Sequence, residues 1–166
     1  MTTAPVAELR AVAYDHPDVV VLTERAQQVY VRLYGGRDAT PVDAADFTPP
    51  GGAFFVAYVG GVASAMGGWR LLTPRAGLPG VRPAEIKRMY VTDPARRRGL
   101  ARLVLAHLEA TARQAGVDWM LLETGRPQVE AVGLYRSSGY IDVAKFGHYA
   151  DEPDSVNLGR PLRRTG

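Results

Sequence analysis

Glu85-Ile-Lys-Arg-Met-Tyr-Val-Thr-Asp-Pro-Ala-Arg96-Arg97-Arg98-Gly99-Leu100-Ala101 reads as a strand, a turn and the start of a helix. Residues 84–92 have strand character, and Asp93-Pro94 ends the strand by removing a backbone donor. Leu100, Leu103, Val104, Leu108 and Ala112 then recur on one helical face, and Gly116 closes that helix. Between the two lies an anion site. The unpaired amides and the positive dipole end of a helix N-terminus attract phosphate, Gly99 lets the backbone approach closely, and three guanidinium groups add charge. Three arginines at that end of a helix repel its dipole unless an anion offsets them. No G-x-x-x-x-G-K-[ST] loop is present, and no G-x-G-x-x-G follows a strand, so a mononucleotide site is disfavoured.

Upstream, residues 53–59 and 62–71 read as two strands joined at Gly60-Gly61, because adjacent glycines accept the positive φ of a two-residue hairpin. Residues 7–14 can form a strand, and Asp15 to Asp18 carry the cap chemistry that opens a helix reaching about Tyr34. Val20, Val21, Ala26, Val29, Tyr30 and Leu33 supply its apolar spacing, and Gly35-Gly36 stop it. Residues 37–52 and 73–83 are Pro/Gly-rich loops, the first with room for a helical turn. Downstream, residues 118–124 form a short buried strand, residues 128–138 a second helix ended by Gly139, and residues 140–146 and 155–158 the remaining strands. A hairpin-rich β segment followed by β-α-β-α-β-β specifies a mixed central sheet with helices packed on it. No repeat or long linker divides the 166 residues, so one domain, residues 1–166, is expected.

Composition narrows the chemistry. Cysteine is absent, which excludes disulfides, thiolate zinc sites and a cysteine nucleophile, and a cytoplasmic setting fits. The N-terminal residues lack a basic segment leading into an apolar core, and no apolar run approaches the ~18 residues of a membrane span. The net charge is +3, and only Lys87 and Lys145 are ammonium groups among 20 basic residues. The arginine fork suits phosphate. The 17 acidic residues are interspersed with the basic ones, so a nucleic-acid groove is less favoured than an ordinary solvated surface.

Two segments together carry a family resemblance. Arg96-x-x-Gly99-x-Ala101 after a strand resembles the pyrophosphate-binding loop of the GNAT N-acetyltransferase superfamily, Gln/Arg-x-x-Gly-x-Gly/Ala. Gln128-Val-Glu-Ala131-Val-Gly-Leu134-Tyr135-Arg-Ser-Ser-Gly139-Tyr140 resembles its Asn-x-x-Ala-x-x-Leu-Tyr-x-x-x-Gly-Phe helix, with Gln128 in place of Asn and Tyr140 in place of Phe. The match is firm over residues 84–146. The resemblance implies an α/β (α+β) fold with a mixed, mostly antiparallel central sheet of about six or seven strands, two of them splayed, and flanking helices.

It also implies acetyl-CoA as co-substrate, no metal, and direct transfer to an amine. Such a site needs a proton acceptor for the amine, donors for the carbonyl oxygen and an acid for the thiolate. Tyr135 matches the superfamily tyrosine near the cofactor sulfur, against the alternative of a packing tyrosine. Glu85 matches the general-base glutamate of some protein-acetylating members. Alternation places Glu85, Lys87, Met89 and Val91 on one face, where Lys87 pairs with Glu85 and weakens it as a base. Glu123 is the competing carboxylate, and water a third option. Backbone groups of Met89 and Val91 are expected at the acetyl carbonyl and pantetheine. Arg97, Arg98, Gly99, Leu100 and Ala101 are expected at the pyrophosphate, with Arg96 either there or solvated. Gln128 is the residue expected to touch the cofactor from the second helix.

His16, His107 and His148 lack metal-pair spacing and read as surface or capping residues, with His148 alone near the acceptor. Trp69 and Trp119 read as core or cleft-wall aromatics, Ser137-Ser138 as a helix end, and residues 160–164 as a frayed basic tail. The expected partner is a small-molecule or peptide amine bound against residues 16–52 and 72–83; nucleic acid and membrane are not expected, and a homodimer is compatible. Two other classes fit less well: a non-catalytic acyl-CoA sensor and a basic nucleic-acid-binding α/β domain.

Overall fold

Gly60 and Gly61 adopt φ of 58° and 79°, the left-handed pair that a two-residue hairpin requires. They fold β2 (Gly52–Val59) back onto β3 (Val62–Leu71) in the computed structural model, which describes residues 6–162. β1 (Ala7–Ala11) pairs antiparallel with β2, and β4 (Pro83–Val91) antiparallel with β3. β5 (Trp119–Gly125) runs parallel to β4, β7 (Ser155–Pro161) antiparallel to β5, and the short β6 (Ile141–Asp142) closes the far edge. The seven strands lie in the order β1-β2-β3-β4-β5-β7-β6. This is the mixed, mostly antiparallel sheet expected from the sequence.

α2 (Leu100–Gln114) packs Leu100, Val104, Leu105, Leu108 and Ala112 against Phe55, Ala65, Trp69, Ile86, Met120 and Leu122 on one face of the sheet. Tyr135 of α3 (Val129–Ser137) joins the same core. On the other face α1 (Pro17–Tyr34) covers Phe54, Val56, Tyr58 and Met66 with Val19, Leu22 and Ala26. Burial of these side chains on both faces is the main favourable term for the fold.

The start of α1 sets its phase. His16 is the cap, its Nδ1 accepting from the Asp18 amide at 3.0 Å, and Pro17 opens the first turn. The stripe facing the sheet is therefore Val19, Leu22, Ala26, and the expected Val20, Val21 and Leu33 are exposed. The expected strand over residues 140–146 shortens to Ile141–Asp142, and Tyr140 before it turns inward, its ring buried and its hydroxyl donating to Glu109 Oε2 at 2.8 Å. Arg160 is not a frayed tail residue: it lies on β7 and pairs with the same Glu109 at 2.9 Å. Residues 163–164 of that tail lie outside the described residues.

Candidate active site

β4 and β5 pair over only three positions, Pro83 with Trp119, Ala84 with Met120 and Glu85 with Leu121. β5 keeps its full pairing with β7, so the strands diverge beyond Glu85 and leave a slot between them. The cause lies in β4. Gly68 is opposite Lys87 while Met66 is opposite Tyr90, so Arg88 and Met89 share one partner position, a β-bulge in which Arg88 has φ 60°. The extra residue reverses the alternation. Ala84 and Ile86 face the α2 core before the bulge, and Met89 and Val91 face it after, while Tyr90 packs with the α1 core. Met89 and Val91 therefore do not share the face of Glu85 and Lys87, as simple alternation predicts.

At the far end of the slot stands the arginine-glycine turn. Arg97 and Gly99 both have positive φ, 64° and 76°, and Gly99 is the N-cap residue of α2, with no side chain capping it. The first bond of the helix runs from the Leu103 amide to the Gly99 carbonyl, which leaves the amides of Leu100, Ala101 and Arg102 without helical partners. Successive backbone donors around left-handed residues form a concave anion cradle. A Cβ added at Gly99 meets nothing within 4 Å, so crowding does not demand glycine there; the backbone conformation does.

A cleft of about 760 Å³ joins slot and cradle. Met89, Val91, Arg96, Arg97, Gly99, Leu100, Ala101, Gln128 and Tyr135 all line it, and so does Glu123. Arg98 does not line the cleft, whereas Arg96 does while pairing with Asp93 at 3.2 Å, the reverse of their expected order. Gln128 donates to the Tyr34 hydroxyl at 3.0 Å, tying the start of α3 to the end of α1.

The two carboxylates differ sharply. Glu85 is 3% exposed, lies off the cleft, and is held by Lys87 at 3.1 Å and Arg70 at 3.4 Å. Glu123 has no cation within salt-bridge distance among the described residues, and its buried Oε2 has no hydrogen-bond partner there. Burial pushes its carboxyl above the usual carboxylate range, offset in part by the charge of Lys87 and by the Tyr149 amide 3.4 Å from Oε1. The Tyr135 ring is buried edge-on against Tyr140 at 5.6 Å, and burial raises its phenol, so it stays protonated at neutral pH.

The raised Glu123 carboxyl makes a stability prediction. Because its folded pKa exceeds the unfolded value, ionisation costs stability above the folded pKa and nothing below the unfolded one, near 4.5. Glu123→Gln therefore raises the melting temperature at pH 7 and loses that gain near pH 4. A melting series that shows no gain at pH 7 contradicts the assignment of a destabilised carboxylate.

A second cavity of about 380 Å³ opens on the same place, sharing Tyr30, Asp38, Lys87, Glu123, Thr124 and Gln128 with the cleft. Tyr149, Glu152 and Asp154 close its other side. His148 lines neither space; His107 packs edge-on against Phe55 at 4.5 Å, and burial lowers its pKa. Trp69 is core, donating to Thr111 Oγ1 at 3.1 Å. Among the described residues no group of three or more His, Cys, Asp or Glu side chains has metal-site geometry, and no helix is long and apolar enough to cross a membrane. Asp38, Arg88 and Tyr149 carry no sequence signal, since their contacts join segments 50 and 111 residues apart.

A split parallel strand pair thus opens a cleft that leads to the unpartnered amides at a helix N-terminus. The chain belongs to the Acetyltransferase (GNAT) family, whose model matches residues 20–140. It is 41% identical over 78 residues to an IAA acetyltransferase of Azospirillum brasilense, covering 47% of this chain and 51% of that protein. It is 34% identical over 83 residues to YsnE of Bacillus subtilis, an uncharacterised N-acetyltransferase, covering 49% and 55%. The chain thus spans about half the length of the curated relatives it matches. Among solved structures, an acyl-CoA N-acyltransferase assignment from Klebsiella pneumoniae superposes with TM-score 0.74 at 25% identity over 95% of this chain and 99% of that one. A Salmonella typhimurium protein solved with acetyl-CoA superposes with TM-score 0.69 at 18% identity over 96% of each chain.

Proposed function

We propose that the protein transfers the acetyl group of acetyl-CoA directly to a primary amine. The observation that carries this reading is the divergence of β4 and β5 beyond Glu85, with Glu123 and Tyr135 lining the cleft that runs to the α2 N-terminus. The residues present fit the ligand. The free amides of residues 100–102, with Arg96 and Arg97, suit a pyrophosphate. The unpaired edge of β4 offers Met89 and Val91 backbone groups to the pantetheine arm and the acyl carbonyl. Acetyl-CoA supplies the activated thioester.

The remaining chemistry belongs to the chain. Glu123, rather than Glu85, takes the proton of the attacking amine, because it lines both cavities and its raised pKa improves it as a base. Backbone donors at the bulge stabilise the charge that develops on the carbonyl oxygen as the amine nitrogen bonds to carbon. Tyr135 donates a hydrogen bond to the sulfur as the carbon–sulfur bond breaks. The second cavity, at the Glu123 end, receives the amine. A family relative is named an IAA acetyltransferase, so the acceptors tested span several classes.

The test is transfer to a panel of amines, diamines, amino acids and peptides, read as free thiol and as acetylated product by mass. Equimolar thiol and acetyl-amine from one class supports the reading. Saturable acetyl-CoA binding with no transfer to any class contradicts it, and leaves an acyl-CoA sensor.

A further inference from the structure

Asp38 lies between α1 and the 3-10 turn Ala44–Phe47 and is bound from three directions. Its Oδ2 pairs with Nη1 of Arg88, the left-handed residue of the β4 bulge. Its Oδ1 accepts from the Thr40 amide at 2.9 Å, the Thr40 hydroxyl at 2.7 Å and the Tyr149 hydroxyl at 3.0 Å. Its own amide donates to Oε1 of the buried Gln27 on α1 at 2.7 Å, and its carbonyl accepts from Gln27 Nε2 at 3.3 Å. Tyr149 in turn accepts at its hydroxyl from the Ala39 amide at 2.8 Å, and donates its own amide to Glu123.

Arg88 is buried and Asp38 half-buried, with side-chain exposures of 6% and 15%. A residue with a Cβ avoids the left-handed region, so the conformation of Arg88 has to be held by its surroundings. Asp38 supplies that hold: the guanidinium cannot leave its carboxylate without stranding a buried charge. The carboxylate is itself fixed to the 147–150 turn through Tyr149, and the Asp38 main chain to α1 through Gln27. One residue thus joins the bulge and the segment that contacts Glu123 through its side chain, and the first helix through its main chain.

We propose that Asp38 is a positioning residue for acyl transfer: through its ion pair with Arg88 it holds the β4 bulge so that the bulge amides face the thioester carbonyl. This rests on the acetyl-CoA reading above and concerns only its carbonyl-binding part. These contacts alone would make Asp38 a structural residue, so the test must read the carbonyl contact and not the fold. Acetyl-CoA is compared with S-ethyl-CoA, a thioether that lacks only the carbonyl oxygen. A structural defect weakens both ligands alike; loss of the carbonyl contact weakens acetyl-CoA alone.

Calorimetric affinities are measured for the unmodified protein, Asp38→Asn, Arg88→Gly and the double variant. The unmodified protein is expected to prefer acetyl-CoA roughly tenfold, the scale of one hydrogen bond, and Asp38→Asn to reduce that preference to about twofold or less. Glycine accepts the left-handed conformation without a clamp and removes the buried cation; in the single variant the Asp38 carboxylate keeps its Thr40 and Tyr149 hydrogen bonds, and in the double variant neither charge is present. Adding Asp38→Asn to Arg88→Gly is then expected to change the preference by less than about twofold, and a larger loss there overturns the proposal even if Asp38→Asn alone does not fold. An Asp38→Asn protein that keeps the full preference overturns the proposal, as does an equal loss in both backgrounds or no preference in the unmodified protein. Failure of the unmodified protein to bind either ligand removes the acetyl-CoA reading itself.

Discussion

Tyr135→Phe lowers single-turnover acetyl transfer by ~10²-fold or more, while cofactor binding stays nearly intact. The substitution keeps a ring that is 5% exposed and packed against Tyr140, and removes only the hydroxyl. Packing, and with it the α3 wall of the cleft, is preserved. What disappears is a donor that burial keeps protonated and that lines the cleft between the split strands. A thiolate leaving a water-poor slot gains most from such a donor, because the low dielectric strengthens the hydrogen bond. Steady-state rates can hide the loss when product release limits turnover, so the measurement is made with enzyme in excess over acetyl-CoA. Unchanged transfer in that regime returns Tyr135 to a packing role and sends the proton to another donor.

The local features of this fold were legible because each is decided within a few residues. Gly60-Gly61 announces a hairpin, the apolar spacing from Leu100 to Ala112 announces α2, and the arginine-glycine segment announces the turn that opens it. The bulge was not legible, because nothing in Lys-Arg-Met signals that Arg88 takes a left-handed φ. That single residue reverses the faces of Met89 and Val91, so strict alternation misplaced them. The contrast between Glu85 and Glu123 was legible in part. Alternation pairs Lys87 with Glu85, whereas Arg70 as a second cation and the buried, unbonded oxygen of Glu123 appear only in three dimensions. The face of α1 slipped by one residue for a simpler reason. Val19, Val20 and Val21 are all apolar, and the choice among them rests on where Pro17 starts the helix.

Gly99→Val abolishes acetyl-CoA binding under conditions where the unmodified protein is saturated. The cradle depends on a left-handed residue at the N-cap, φ 76°, immediately before the free amides of residues 100–102. Valine at that angle is a steric outlier. The strain is relieved when the turn moves to negative φ, which rotates the amides away from a common focus and disperses the arginines of the cleft. The Cβ itself meets no protein atom within 4 Å, so the fold has room for the side chain and the loss is one of binding and not of the core.

The same pair of proteins supplies the most direct test of the central claim, which is that acetyl-CoA occupies the slot between β4 and β5 with its pyrophosphate on the α2 N-terminus. A ligand that binds only the native state raises its melting temperature by mass action, by an amount that grows with ligand concentration. The measurement is the melting temperature of the unmodified protein and of Gly99→Val across an acetyl-CoA titration. The account predicts a concentration-dependent rise for the unmodified protein and a flat line for Gly99→Val, with both unfolding cooperatively in the absence of ligand. A flat line for both, or an equal rise for both, contradicts it.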